Sequence, residues 1–185
     1  MNYPNFSVDL SQYDNSWYQP GRNIGWQVLW YLINELVFRS GLLPLSSIKC
    51  WLLRRFGAKV GKGVVIKPHV NIKYPWKLTI GDYCWIGEGV WIDNLAEVTL
   101  GNHVCLSQGA LLLTGNHNYR LPTFDLMAKT ITLEDGVWIG AKAIVCPGIT
   151  AYSHAVLTVG SVATTNLEGY SIYSGNPAQK IKNRL

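Results

Sequence analysis

"LEDGVWIGAKAIVCPGITAYSHAVLTVGSVA", residues 133–163, returns an aliphatic side chain about every six positions. Cut into hexads, it leads with Leu133, Ile139, Val145, Ala151, Leu157 and Ala163; the fifth positions are Val137, Ala143, Ile149, Ala155, Ser161 and, just beyond, Leu167. Eleven of these twelve are apolar, a regularity that chance at this composition does not produce. A period of six suits neither a 3.6-residue helix nor a hairpin meander. It suits short strands separated by turns and stacked into a solenoid, three hexads to a coil.

Upstream the beat recurs as Val60, Ile66 and Ile72, then Ile80, Ile86 and Ile92, then Leu100, Leu106 and Leu112. Glycine often follows the lead, as in Ile80-Gly81, Ile86-Gly87 and Ile139-Gly140. Each lead side chain should point into a prism and stack on its counterpart one coil away, with glycine easing the tight corner. The count predicts a mainly β chain: a parallel β-helix of about five coils within residues 59–170. An N-terminal segment and helical cap would occupy 1–58, and a short C-terminal tail or helix 171–185.

Length and composition bound the rest. At 185 residues and 48% hydrophobic, the chain suits one domain with a real core and a small appendage. A formal charge of +5 with only 15% charged residues argues against a nucleic-acid-binding arm or a disordered tail and suggests an anionic partner. Cys50, Cys84, Cys105 and Cys146 match no C-x-x-C pattern and read as small buried apolar residues in a reducing compartment. The start of the chain lacks a basic n-region and an apolar h-region, so a cytoplasmic location is expected. The most apolar stretch, Ile24 to Phe38, is broken by Gln27, Asn34 and Glu35 and is shorter than the ~20 residues that cross a bilayer.

Residues 22–40 read as a helix, with Trp26, Trp30, Ile33 and Val37 at helical spacing. A second helix would start with Ser46 or Ser47 as N-cap, placing Ile48, Trp51, Leu52 and Phe56 inward and Lys49, Arg54 and Arg55 outward. Two readings stand: a cap over the open edge of the first coil, or peripheral contact with a membrane surface.

The beat breaks at "TGNHNYRLPTFDL", residues 114–126, inside an insertion from about Leu113 to Thr130. His69, His103 and His154 each fall fourth in a hexad, a turn position that suits a surface or locally hydrogen-bonded role. His117 alone lies in the insertion, and long loops on rigid scaffolds often carry function. Taken by itself this allows either a surface loop or a catalytic base.

The repeats V-G-K-G-V-V, I-G-D-Y-C-W, I-G-E-G-V-W and I-G-A-K-A-I resemble the left-handed parallel β-helix acyltransferases of the hexapeptide-repeat superfamily. "DNSWYQPGR" near the start, "IKPHVNIKYPWKLTIGDYCWIGEGVWIDNLA" in the middle and "GNPA" near the end are similar to its colanic acid biosynthesis acetyltransferase branch. The left hand comes from this resemblance, since parallel connections are ordinarily right-handed. The resemblance implies acetyl-CoA as co-substrate, no metal, and transfer to a sugar hydroxyl with His117 as general base, because "TGNH" is similar to the segment that bears the base. Lys180, Lys182 and Arg184 in the tail suit either charge for CoA phosphate or a solvated basic terminus, beside a cofactor groove that the resemblance lines with Trp138, Gly140, Ala141, Val159, Gly160 and Thr164. The usual Lys-Asp after that threonine is here Thr165-Asn166, and Ala151-Tyr152 stands where an aliphatic-glycine pair is usual.

For the acceptor, a sugar or nucleotide sugar, the resemblance points to Asp93 and Asn94 of "WIDN". At a corner these residues also suit an Asx-turn. Asn116, Tyr119 and Arg120 are further candidates, the last suited to a diphosphate. Related enzymes form trimers with active sites between subunits, so a homotrimer is expected. Rival readings are an N-acetyltransferase of an amino sugar, a non-catalytic scaffold, and a metal enzyme on the same solenoid. The last needs three histidines on one ion, and the closest pair here, His103 and His117, is 14 apart with His103 in the wrong phase.

Overall fold

A computed structural model describes residues 6–185; the first five residues of the N-terminal segment lie outside the described residues. The hexads wind into a three-faced parallel β-helix. The first face carries Lys59–Val60, Leu78–Ile80, Val98–Leu100, Ile131–Leu133 and Thr150–Ala151, with Leu167 bridged to Ala151 above them. The second carries Val65–Ile66, Trp85–Ile86, Cys105–Leu106, Trp138–Ile139, Val156–Leu157 and Ser171–Gly175. The third carries Asn71–Ile72, Trp91–Asp93, Leu111–Leu113, Ile144–Val145 and Val162–Ala163. Five coils are complete and a sixth is begun, slightly more than the hexad count.

The lead residues stack in register: Ile66, Ile86, Leu106, Ile139, Leu157 and Tyr173 on the second face, and Ile72, Ile92, Leu112, Val145 and Ala163 on the third. All of these are buried, and each large aliphatic one contributes about 1.5–3 kcal/mol. Glycine is required where coils touch. A Cβ on Gly140 would lie 2.6 Å from the Val159 nitrogen of the next coil.

The corners also explain three histidines. His69, His103 and His154 sit in left-handed turns with φ near +60°. His69 Nδ1 lies 2.8 Å from the Arg39 carbonyl, His103 stacks on Tyr83 and His154 packs at a tilt against Tyr170. The cysteines are free, two buried and two half-buried, and burial pushes every thiol pKa up.

Two helices, α1 (Ile24–Ile33) and α2 (Ser46–Arg55), cover the first coil. Asn23 caps α1 by accepting from the Trp26 N–H, and α1 runs on into a wider π-type turn, Asn34–Arg39. An open coil leaves strand groups unpaired, and the cap reaches all three faces. Trp30 Nε1 donates to the Ile72 carbonyl at 2.8 Å. Ser46 Oγ donates to the Ile66 carbonyl and accepts from its N–H. Arg54 donates to the carbonyls of Val60 and Gly61.

This corrects the expected face of α2. Ser46 ties down a coil rather than capping the helix, and Lys49 is fully buried, donating to the Lys67 carbonyl at 2.9 Å. Ile48 and Trp51 are exposed instead. The edge needs donors, and a lysine whose stem packs inside supplies one.

The C-terminal tail is neither loose nor helical. Ser171–Gly175 continues the second face and folds back antiparallel onto Ala178–Asn183. The insertion is likewise a hairpin, Gly115–His117 against Leu126–Ala128.

Candidate active site

The hairpin leaves the prism at the corner between the third and first faces. Its root is fastened to the coil below: buried Thr114 donates from Oγ1 to the Asp93 carbonyl at 2.9 Å and accepts from the Ala96 N–H. From there two antiparallel residues bring the chain to His117, opposite Leu126.

The imidazole is held on three sides. Nδ1 lies 2.9 Å from the Phe124 carbonyl; a carbonyl only accepts, so Nδ1 carries the proton and Nε2 is the basic nitrogen of the neutral ring. The Phe124 ring stacks on it at 4.5 Å with 7° between planes. Tyr13, from the N-terminal segment, lies across it at 5.8 Å. Phe124 adopts φ +53°, a conformation uncommon for a bulky residue, and this turns both its carbonyl and its ring toward His117.

Asn116 is exposed, with Oδ1 accepting from the His117 N–H at 2.8 Å. Tyr119 and Arg120 are exposed at the hairpin tip, the guanidinium 5.9 Å from the Tyr119 ring.

The two acceptor candidates of "WIDN" separate. Asn94 is fully buried; its amide donates to the carbonyls of Tyr74 and Lys77 and its Oδ1 accepts from the Tyr74 N–H. It clamps a corner, and its side chain presents no open surface to a sugar expected there. Asp93 borders a cavity of about 390 Å³ between the cap and the third face, where Tyr31, Tyr74, Trp91 and Lys73 also stand. Its Oδ1 is buried and accepts no hydrogen bond, although Lys73 Nζ lies 3.0 Å away.

The expected cofactor residues gather mainly at a different corner, between the second and third faces. Gly140-Ala141 and Val159-Gly160 lie one coil apart there, joined by the Gly160 N–H donating to the Ala141 carbonyl at 2.9 Å. Gly160 has φ +65° and open space where a Cβ would be, and Val159 is 71% exposed. Trp138 is half-exposed on the second face, its indole donating to Ser107 Oγ at 2.9 Å. Thr164 is exposed past the third face of the fifth coil.

In the tail, Lys180 pairs with Glu168 and Arg184 donates to the carbonyls of Gly136 and His154. Lys182 is exposed and makes no ion pair among the described residues. At Thr165-Asn166, the asparagine accepts from the Thr150 N–H and holds the corner. Among the described residues no three His, Cys, Asp or Glu side chains come together as metal ligands.

A single chain therefore does not unite its parts. His117 and the Ala141–Gly160 ladder stand at two corners with the third face between them. Phe124, Thr114 and Tyr13 were not identified from sequence, since nothing in it marks a left-handed phenylalanine or a distant tyrosine.

A three-faced solenoid of hexads, with a helical cap and one histidine-bearing hairpin at a corner, defines the class of hexapeptide-repeat β-helix proteins. A scan finds no family model that matches. The chain is nevertheless 38% identical over 157 residues to an Escherichia coli K12 protein named as a colanic acid biosynthesis acetyltransferase, WcaF, covering 85% of this chain and 86% of that one. It belongs to the hexapeptide-repeat acetyltransferase family. A galactoside O-acetyltransferase of the same organism is 25% identical over 134 residues, 71% of this chain and 66% of its own. Among solved structures, a hexapeptide-repeat acetyltransferase of Vibrio cholerae complexed with acetyl coenzyme A shares the fold with a TM-score of 0.77. That match is 21% identical and covers 86% of this chain and 87% of the other.

Proposed function

We propose that the protein transfers the acetyl group of acetyl-CoA to a hydroxyl of a sugar or nucleotide sugar, in the cytoplasm, with His117 as general base. The observation that carries this reading is the imidazole itself: Nδ1 keeps its proton and donates it in a hydrogen bond to the Phe124 carbonyl, so Nε2 is free to accept one. A sugar hydroxyl is a poor nucleophile, and a positioned base contributes about 10²- to 10⁴-fold. As the hydroxyl oxygen bonds to the thioester carbonyl, its proton passes to Nε2; the tetrahedral adduct then expels the CoA thiolate, which takes that proton back. No covalent enzyme intermediate is needed.

Ala141 has no side-chain donor, so its backbone N–H is the group that meets the oxyanion or the pantetheine. Its carbonyl, not its amide, is the partner in the ladder with Gly160. Val159, Gly160, Thr164 and Trp138 line the pantetheine path in this reading, and Lys182 meets CoA phosphate. The acceptor lies between the hairpin and Asp93, whose carboxylate, paired with Lys73, suits a sugar hydroxyl and whose aromatic neighbours suit a sugar face. Arg120 would take a diphosphate. Because the base and the amide ladder stand at different corners, the working unit is a homotrimer in which one subunit's His117 faces another's cofactor groove.

The test follows release of free CoA thiol from acetyl-CoA across a panel of nucleotide sugars, glycosides and amino sugars, for wild type and His117→Ala. Acceptor-dependent release that drops at least ~10²-fold in the variant supports the base. Equal rates remove His117 from the chemistry. Preference for an amino sugar turns the reading to N-acetylation, and failure to bind acetyl-CoA at all favours a scaffold.

A further inference from the structure

The cap is amphipathic twice over. Trp30, Asn34 and Phe38, four residues apart, face the first coil. Ile24, Val28, Leu32 and Leu36, also four apart, each keep 50% or more of their surface exposed, and of the four only Val28 also borders the cavity beside Asp93. Leu42 in the connector is 82% exposed and Trp51 on α2 is 56% exposed. Large apolar side chains so densely exposed mark a contact surface rather than an ordinary solvated one.

Charge is concentrated at the same end. Residues 22–77, the cap and first coil, hold ten of the 16 lysines and arginines but only one of the 11 acids, Glu35. Their formal charge is +9, and that of the remaining chain is −4. Some of these cations are spent: Lys49 and Lys77 on carbonyls, Arg39 on Glu35 and Lys73 on Asp93. Arg22, Arg55, Lys59 and Lys67 remain exposed, with no acidic partner among the described residues. A second copy of so positive a cap would be repelled, whereas an anionic surface that also accepts apolar side chains matches both properties.

We infer that the cap docks the enzyme on an anionic phospholipid bilayer, with the outer face of α1, Leu42 and Trp51 entering the headgroup boundary and the exposed cations on lipid phosphates. Among the described residues no helix is long and apolar enough to cross the membrane, so the cap lies on it.

The test is flotation of the full chain with vesicles of phosphatidylcholine alone or with about 30% phosphatidylglycerol, at low and high salt. Wild type should float with the anionic vesicles only, and salt should weaken that binding. Leu32→Glu with Leu36→Glu, and separately Arg55→Glu with Lys59→Glu, should each cut the bound fraction at least ~10-fold. Leu42→Glu, in the connector, repeats the test outside both helices, and circular dichroism confirms that each variant is folded. The inference is overturned if folded wild type ignores anionic vesicles or if all three variants float as it does. It is also overturned if the leucine variants instead lower the mass seen by light scattering without lipid, which would assign the face to a second copy.

Discussion

The corner that carries His117 and the corner that carries Ala141 are built in opposite ways. At the first, the six-residue beat is abandoned for a hairpin whose side chains, Phe124 above all, hold one imidazole. At the second the beat is kept without deviation, and what is presented is backbone: Ala141 and Gly160 in a ladder one coil apart. In the proposed reading the first corner aims a base and the second holds the cofactor; a base must be aimed, which takes irregular chain and side-chain contacts. A groove for a long flexible cofactor needs only repeated amides on a rigid edge, which the solenoid provides unaltered.

Each corner can be broken separately. The largest effect expected is that of His117→Ala, a loss of ~10²- to 10⁴-fold in kcat/KM with the thermal midpoint unchanged, since the half-buried ring supports no coil. Next comes Gly140→Ala, whose methyl group would press on the backbone of the coil above; about 3 kcal/mol of stability should be lost in urea titration. Asn94→Ala should cost about 1–3 kcal/mol by orphaning buried groups around Tyr74. Its KM for acceptor should stay at the wild-type value, which separates a clamp from a ligand. Phe124→Leu keeps the carbonyl but removes the stacked ring; about a tenfold fall in kcat, with KM for acetyl-CoA unaltered, is expected from a less well-aimed base.

The smallest effect concerns the cap. Burial holds the Lys49 pKa below its ordinary value in the folded chain. Between that lowered value and the ordinary ~10.4 of the unfolded chain, the unfolded state binds the extra proton, so stability rises with pH. Lys49→Met should lack this rise, as urea titrations at alkaline and neutral pH would reveal.

The solenoid was legible because its lead residues all do the same thing: Ile66, Ile86 and Leu106 each fill one layer, and burial repeated at a fixed interval leaves a trace in composition. The insertion was legible as a fault in that trace, and its histidine by the family's pattern. What could not be read depended on partners far away in sequence. Lys49 looks like a solvent-facing cation until the unpaired carbonyls of the first coil are seen to need it. Asn94 and Asp93 are adjacent and chemically alike, yet one is consumed by Tyr74 and the other borders a cavity with its carboxylate beside Lys73. The C-terminal segment, short and basic, looked like a tail until the second face gave it a strand to pair with.

The ladder across the insertion does not slip: Val98, Thr99 and Leu100 pair with Ile131, Thr132 and Leu133 as though no residue lay between the two coils. The corner therefore works as a socket. A hairpin of another length or sequence can be plugged in there while the coils above and below keep their registers, so under the proposed function acceptor choice can drift, or be engineered, independently of the edge assigned to the donor.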